Sequence, residues 1–205
     1  MPDINQDKVV KHYNKRASTY TDMVKKTFPM SAVKTSEKKA VRSLLKNIEG
    51  SEILEVGCGT GFHTETLLEM NAGKIFAVDI SPEMLKGLPA SDKIVPICAK
   101  AEDLNLDKKF NAVLNSGATE FVPDALKLFE VLRNHSNTGA YLYLHITNGN
   151  FLGFLLSMYY KMRGISFNTF SDKKIEEYAK KTGWQIDAKT NGMFNWALIY
   201  RLKAV

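Results

Sequence analysis

Apolar and polar positions divide the chain into short apolar runs separated by longer amphipathic stretches. Val9, Val10, Tyr13, Ala17 and Tyr20 fall close to the i, i+3, i+4, i+7 spacing of one helical face, which predicts a helix over residues 3–20 starting at Asp3. A second helix is expected over residues 31–47, striped by Val33, Ala40, Val41, Leu44 and Leu45. From there the pattern shortens. Residues 52–56, 74–79, 94–99, 110–115 and 140–146 are apolar runs of the length expected of buried parallel strands. Residues 64–70, 82–88 and 124–132, lying between them, read as helices, and residues 151–163 form a further helix-rich segment. Ser171 is a good N-cap for a helix over residues 172–181, although Lys174 stands where a capping box would place Glu or Gln. Residues 184–189 and 194–202 read as strands around Thr190-Asn191-Gly192-Met193, a hairpin signal. The sum is an open, mostly parallel α/β sheet with helices on both faces and an antiparallel pair at its end.

Composition narrows this picture. A chain of 205 residues with 44% apolar side chains suits one domain with a full core. Cys58 and Cys98 belong to no CxxC pair or Cys/His cluster, so no metal is expected and a reducing cytoplasm is the natural setting. Residues 1–10 have no apolar signal core, and the most apolar stretch, residues 151–160, is about half of the roughly 20 residues that a membrane span needs. Neither secretion nor a span is expected. The net charge of +6 could attract anions, with cations gathered between Lys8 and Arg16, at Lys25 and Lys26, and between Lys34 and Lys46. These lysines are not interleaved with a platform of stacking aromatics, so they read as solvated helix faces and nucleic acid is not an expected partner.

The chemistry gathers after the first strand. Gly57-Cys58-Gly59-Thr60-Gly61 lies between a strand and a helix, where a sharp turn lets backbone amides approach a ligand closely. Asp79 ends the next strand about 20 residues on, where a carboxylate can accept both hydroxyls of a ribose. A tight turn and a capping Asp would explain each feature singly, but not their order. The glycine spacing differs from the G-x-G-x-x-G of dinucleotide sites. Glu55, two residues before the first glycine, would repel a pyrophosphate but suits a positively charged amino group.

Residues 53–61, ILEVGCGTG, resemble the first motif of the class I S-adenosylmethionine-dependent methyltransferases. Residues 78–85 are similar to that family's second motif, which implies ribose binding by Asp79, adenine packing by Ile80 and a neighbouring role for Met84. Residues 99–104 resemble the third, implying that Lys100, Ala101 and Glu102 surround the adenine edge. Lys100 departs from the family's usual Asp or Asn, which passes the reading of the adenine amine to Glu102 or a neighbour. Residues 110–116 and 121–124 look like the fourth motif, bringing Asn115 and Ser116 to the methionine part, with Phe121 in place of a frequent histidine. The run Tyr13 to Tyr20 is similar to the lid helix of relatives in quinone biosynthesis, which implies cofactor contacts from Tyr13, Arg16 and Tyr20; packing of the two tyrosines into the core fits the spacing equally well.

The resemblance implies a Rossmann-like, doubly wound fold with a mostly parallel seven-stranded sheet and a C-terminal antiparallel hairpin. It implies one methyltransferase domain over 1–205, with lid helices in 1–48, a cofactor-binding core in 49–147, and substrate-side helices and the hairpin in 148–205. S-adenosyl-L-methionine would be the cofactor. Glu55, Gly57, Cys58, Gly59, Thr60 and Gly61 complete the expected cofactor set. The expected reaction is in-line methyl transfer to a small acceptor. The aromatic and methionine side chains of residues 151–163 suit an apolar or aromatic one, and suit ordinary core or a homodimer surface about as well. His145, near the end of the fifth strand, is the first candidate base, with Glu120 and Tyr20 behind it, while His12, His63 and His135 read as solvated. The alternatives are a nucleic-acid or protein methyltransferase and a non-catalytic protein that only binds the cofactor.

Overall fold

The computed structural model describes residues 5–205, so the expected helix start at Asp3 lies outside the described residues. Helix α1 (Gln6–Lys26) opens on Asn5, whose side chain accepts the amide of Lys8. After α2 (Met30–Leu44), strands and helices alternate: β1 (Ile53–Val56), α3 (Phe62–Glu69), β2 (Ile75–Asp79), α4 (Pro82–Leu85), β3 (Ile94–Cys98), β4 (Phe110–Ser116), α5 (Ala125–Asn134) and β5 (Ser136–Thr147). Helices α6 (Phe151–Lys161) and α7 (Asp172–Lys181) then lead to β6 (Trp184–Asn191) and β7 (Ala197–Ala204).

These strands form one seven-stranded sheet in the order β3-β2-β1-β4-β5-β7-β6. Strands β1 to β5 pair in parallel, and β7 runs antiparallel to both β5 and β6. Every residue of β1 is buried, because helices cover both of its faces. Leu54, Val113 and Leu142 pack with Leu128 and Phe129 of α5 on one face. Ile53, Ile75 and Leu114 pack with Val41 of α2 and Leu67 of α3 on the other. The chain leaves β1 toward β2 and later returns to β4 on its opposite side, which opens a crevice beyond the carboxyl ends of these two strands.

The expected topology is present, with several boundaries moved. Helix α2 stops at Leu44 because Leu45 is extended and Asn47 is left-handed, at φ 53°. Helix α4 stops at Leu85, ahead of Gly87 and Pro89. Ser171 caps α7 through the amide of Lys174, with no acid needed at that position. The last strand starts at Ala197 rather than Phe194. Residues 193–195 turn through left-handed backbone at Phe194 and Asn195, so the hairpin has a longer connection than a two-residue Asn-Gly turn. Among the described residues, no helix is long and apolar enough to cross a membrane.

Candidate functional site

The glycine turn is built on close approach. Gly57 has φ +76°, and a β-carbon there would sit 2.8 Å from the Ser116 carbonyl oxygen and 2.9 Å from Cβ of Ala118. Only glycine lets β1 turn this near to the end of β4. Gly61, at φ +89°, would meet Pro89 at 2.6 Å and stands as the N-cap of α3. Gly59 differs: a β-carbon there would meet nothing within 4 Å, because its Cα faces the open crevice. The turn is bonded directly to β2. The amides of Gly57 and Cys58 donate to the Val78 carbonyl at 2.8 and 3.1 Å, and the Gly59 amide donates to Oδ2 of Asp79 at 2.8 Å. The other oxygen of Asp79 accepts the amide of Ser81 at 2.8 Å. Burial raises the Asp79 carboxyl above its ordinary range, and these amides pull it back toward the ionised form.

One cavity runs from this turn along the sheet edge. Asp79, Ile80 and Met84 line one side, Ala99, Ala101 and Glu102 the far side, and Tyr13 and Tyr20 of α1 close over it. Helix α1 is fastened there by two hydroxyl bonds, Ser81 to Asn14 at 2.6 Å and Thr21 to Thr60 at 3.0 Å. Oε2 of Glu102 is buried without a hydrogen-bond partner among the described residues. In β1, Glu55, expected in the cofactor set, lines neither this cavity nor the one that continues from it: it is fully buried and accepts the Thr64 hydroxyl at 2.6 Å, while its second oxygen has no partner among the described residues. Burial pushes the Glu55 carboxyl up to about 8; the bond from Thr64 opposes that rise and the charge of Asp79 adds to it. A narrow apolar slot with a carboxylate at one end and an unsatisfied acceptor at the other matches the donors of a nucleoside, two sugar hydroxyls and an exocyclic amine.

A second cavity shares Tyr13, Tyr20, Gly57, Gly59, Ser116 and Phe121 with the first and continues from it. Its far end is polar. Glu37 of α2 accepts from Nζ of Lys34 at 2.7 Å, and its Oε2 is 3.4 Å from Nε2 of His145. Burial would neutralise Glu37, but Lys34 and His145 outweigh it and hold the carboxyl well below the usual range. Burial likewise disfavours the Lys34 cation, and Glu37 keeps it charged. The rings of His63 and His145 lie 5.5 Å apart, and Nδ1 of each is buried without a partner among the described residues. Burial, with the nearby His145 and Lys34, drives His63 well below its ordinary value, so it is neutral. Oε1 of Glu120 accepts the amide of Thr147 at 2.6 Å, and its other oxygen is unpartnered among the described residues. Burial raises the Glu120 carboxyl, and the charge of His145 opposes that rise. Met30, Phe62, Leu156, Phe167 and Trp196 supply an apolar wall around this end.

The structure therefore brings Tyr13, Tyr20, Cys58, Thr60, Ser116, Glu120 and His145 to the crevice. It places others elsewhere. Arg16 donates to the Tyr159 hydroxyl and to the sulfur of Met23, tying α1 to α6. Lys100 is exposed, while its neighbours Ala99 and Ala101 line the cavity. Asn115 is fully buried, its amide donating to Thr119. His63 and His135 are buried rather than solvated, and His135 binds the Leu106 amide and the Val131 carbonyl as part of the framework. His12 is half-buried against Tyr13 and Tyr160. Of the large side chains singled out in residues 151–163, Tyr160 lines the cavity, whereas Phe151, Phe154, Met158 and Met162 face outward. Sequence reading missed Lys34, Glu37 and His63, which lie on helices whose pattern marks them as surface.

A family model described as "Methyltransferase domain" matches residues 53–139. The malonyl-[acyl-carrier protein] O-methyltransferase of Priestia megaterium is 26% identical over 158 residues, covering 72% of this chain and 54% of that protein. The ubiquinone biosynthesis O-methyltransferase of Xanthomonas oryzae pv. oryzae is 28% identical over 119 residues, 55% of this chain and 49% of that protein. The chain thus spans about half the length of these curated relatives. The magnesium protoporphyrin IX methyltransferase from Synechocystis PCC 6803, with bound SAH, superposes with a TM-score of 0.80 at 13% identity, covering 98% of this chain and 100% of that one.

Proposed function

We propose that the chain is a class I S-adenosylmethionine-dependent methyltransferase, an active enzyme that methylates a small apolar or aromatic acceptor carrying an ionisable group. The observation that carries this reading is one continuous crevice, with the Asp79 slot at one end and the Glu37–His145 pair at the other. The residues fit the cofactor. Asp79 would accept the ribose hydroxyls with the lone pairs left by Gly59 and Ser81. Ile80 and Met84 would flank the adenine, and the unpartnered oxygen of Glu102 would accept its amine. The open face of Gly59 leaves room for the methionine part. When bound, S-adenosylmethionine supplies a strongly electrophilic sulfonium methyl group.

The chain's own task is then to orient the acceptor, exclude water and remove one proton. Tyr13, Tyr20 and Phe121 cover the junction between the two cavities and keep it dry. In the tautomer that donates Nε2–H to Glu37, Nδ1 of His145 is the basic nitrogen and takes the acceptor's proton. The Glu37 carboxylate then stabilises the imidazolium, while Lys34 keeps Glu37 ionised. An apolar wall beside this polar cluster favours a ring or acyl body with one acidic hydroxyl or carboxyl.

Calorimetry with S-adenosylhomocysteine, together with transfer of labelled methyl from S-adenosylmethionine to a panel of phenols and carboxylic acids, tests this reading. Asp79→Ala should cost about 2 to 3 kcal/mol of cofactor affinity by removing charged hydrogen bonds to the ribose. Unchanged affinity would remove Asp79 from the site, and tight binding with no transfer to any acceptor would favour a protein that only holds the cofactor.

A further inference from the structure

Helix α6 carries an apolar stripe that none of the described residues covers. Phe151, Phe154, Leu155, Met158 and Met162 follow the i, i+3, i+4, i+7, i+11 spacing of one helical face, and all are exposed, with Met162 at 77%. Two more large apolar side chains protrude from separate segments: Phe28, at 82%, between α1 and α2, and Phe194, at 75%, between β6 and β7. Hydrogen bonds draw these segments together. The Asn150 side chain at the start of α6 donates to the Asn195 carbonyl at 2.8 Å, and the Met193 amide donates to Ser36 of α2 at 2.9 Å. Each segment also contributes to the wall of the second cavity, Met30, Leu156 and Trp196 among the lining residues. The exposed apolar tips therefore form a rim on the same segments that wall this cavity.

Within these stretches the charged side chains are all cationic. The chain contains 22 acidic residues, yet none falls within residues 23–36, 146–171 or 188–205, the three stretches that make the rim. Lys25, Lys26, Lys161, Arg163 and Lys189 do. Glu65, Asp22 and Asp172 partly neutralise Lys25, Lys26 and Lys189, while Lys161 makes no ion pair among the described residues. Arg163 packs flat over the Tyr159 ring at 3.7 Å at the end of the stripe.

We infer that this rim is a docking surface for an anionic phospholipid bilayer, with the α6 stripe, Phe28 and Phe194 entering the headgroup boundary and the cations meeting lipid phosphates. Aromatic and aliphatic tips bordered by cations are the composition that binds a negatively charged interface. A second copy of the chain fits less well, because a twofold contact would bring two basic rims face to face. Docked in this way, the segments that wall the second cavity lie against the bilayer. The inference concerns a surface and does not depend on the reaction proposed above.

Co-sedimentation of the full chain with vesicles of phosphatidylcholine, alone and mixed with phosphatidylglycerol, at low and high salt, tests it. Binding should be about ten-fold or more tighter to the mixed vesicles and should weaken as salt rises. The double variant Phe151→Ser/Phe154→Ser should lose about ten-fold in vesicle affinity, while its circular dichroism and its affinity for S-adenosylhomocysteine stay unchanged. Both side chains are solvent-facing, so the substitutions leave the core intact. Absence of preference for phosphatidylglycerol, vesicle binding by the variant equal to that of the parent, or light scattering that shows a dimer which the double substitution splits would each overturn the inference.

Discussion

His145 illustrates what a single residue can and cannot disclose. Its place on the fifth strand was legible, since an apolar run ending near the crevice brings it there; its partners were not. Glu37 and Lys34 lie more than a hundred residues earlier, on a lysine-rich helix that reads as solvated. His63 sits on α3 in a polar context and is buried because α2 and β5 close over it. Asp79 and the glycines were legible because their spacing is itself the geometry. The Gly59–Asp79 hydrogen bond that joins them was not. His145→Ala should lower turnover by about 10²-fold or more, the range of a lost general base, with cofactor affinity intact. Glu37→Gln keeps the shape but removes the charge that stabilises the imidazolium, so turnover should fall by about ten-fold. Single-turnover rates together with calorimetry separate the two effects, and unchanged rates in both variants would remove the pair from the mechanism.

At the level of elements, order and type were legible because burial imposes clear periods: continuous in β1, helical in α5 and α7. Boundaries were less so, since they depend on local backbone events such as the left-handed residues at Asn47 and Phe194. The outward stripe of α6 shows a different limit, because an apolar helical face does not say whether it turns to the protein or away. The β1–α3 connection has little tolerance. Gly57→Ala must place a methyl group 2.8 Å from the Ser116 carbonyl in a left-handed conformation, and should lower stability by about 1 to 3 kcal/mol. Urea unfolding measures this, and a loss below about 0.5 kcal/mol would mean that β1 and β4 can part without penalty.

For the whole molecule, the buried carboxyl of Glu55 couples the site to global stability. Its folded value of about 8 lies above the ordinary 4.5, so between these values the folded chain holds more protons than the unfolded one. Stability therefore declines as pH rises through that window and is independent of this group on either side. Glu55→Gln should flatten the decline, and between pH 5 and pH 8 its loss of unfolding free energy should be smaller than the parent's by about 3 kcal/mol. Equal slopes in parent and variant would show that Glu55 ionises freely.

The position of β7 between β5 and β6 has a consequence for biosynthesis. A nascent chain emerging from the ribosome can form the parallel half of the sheet early, yet β5 keeps an open edge and β6 has nothing to pair with until residues 197–204 arrive. During that interval an apolar strand edge is bare, and a holding chaperone would find its target there.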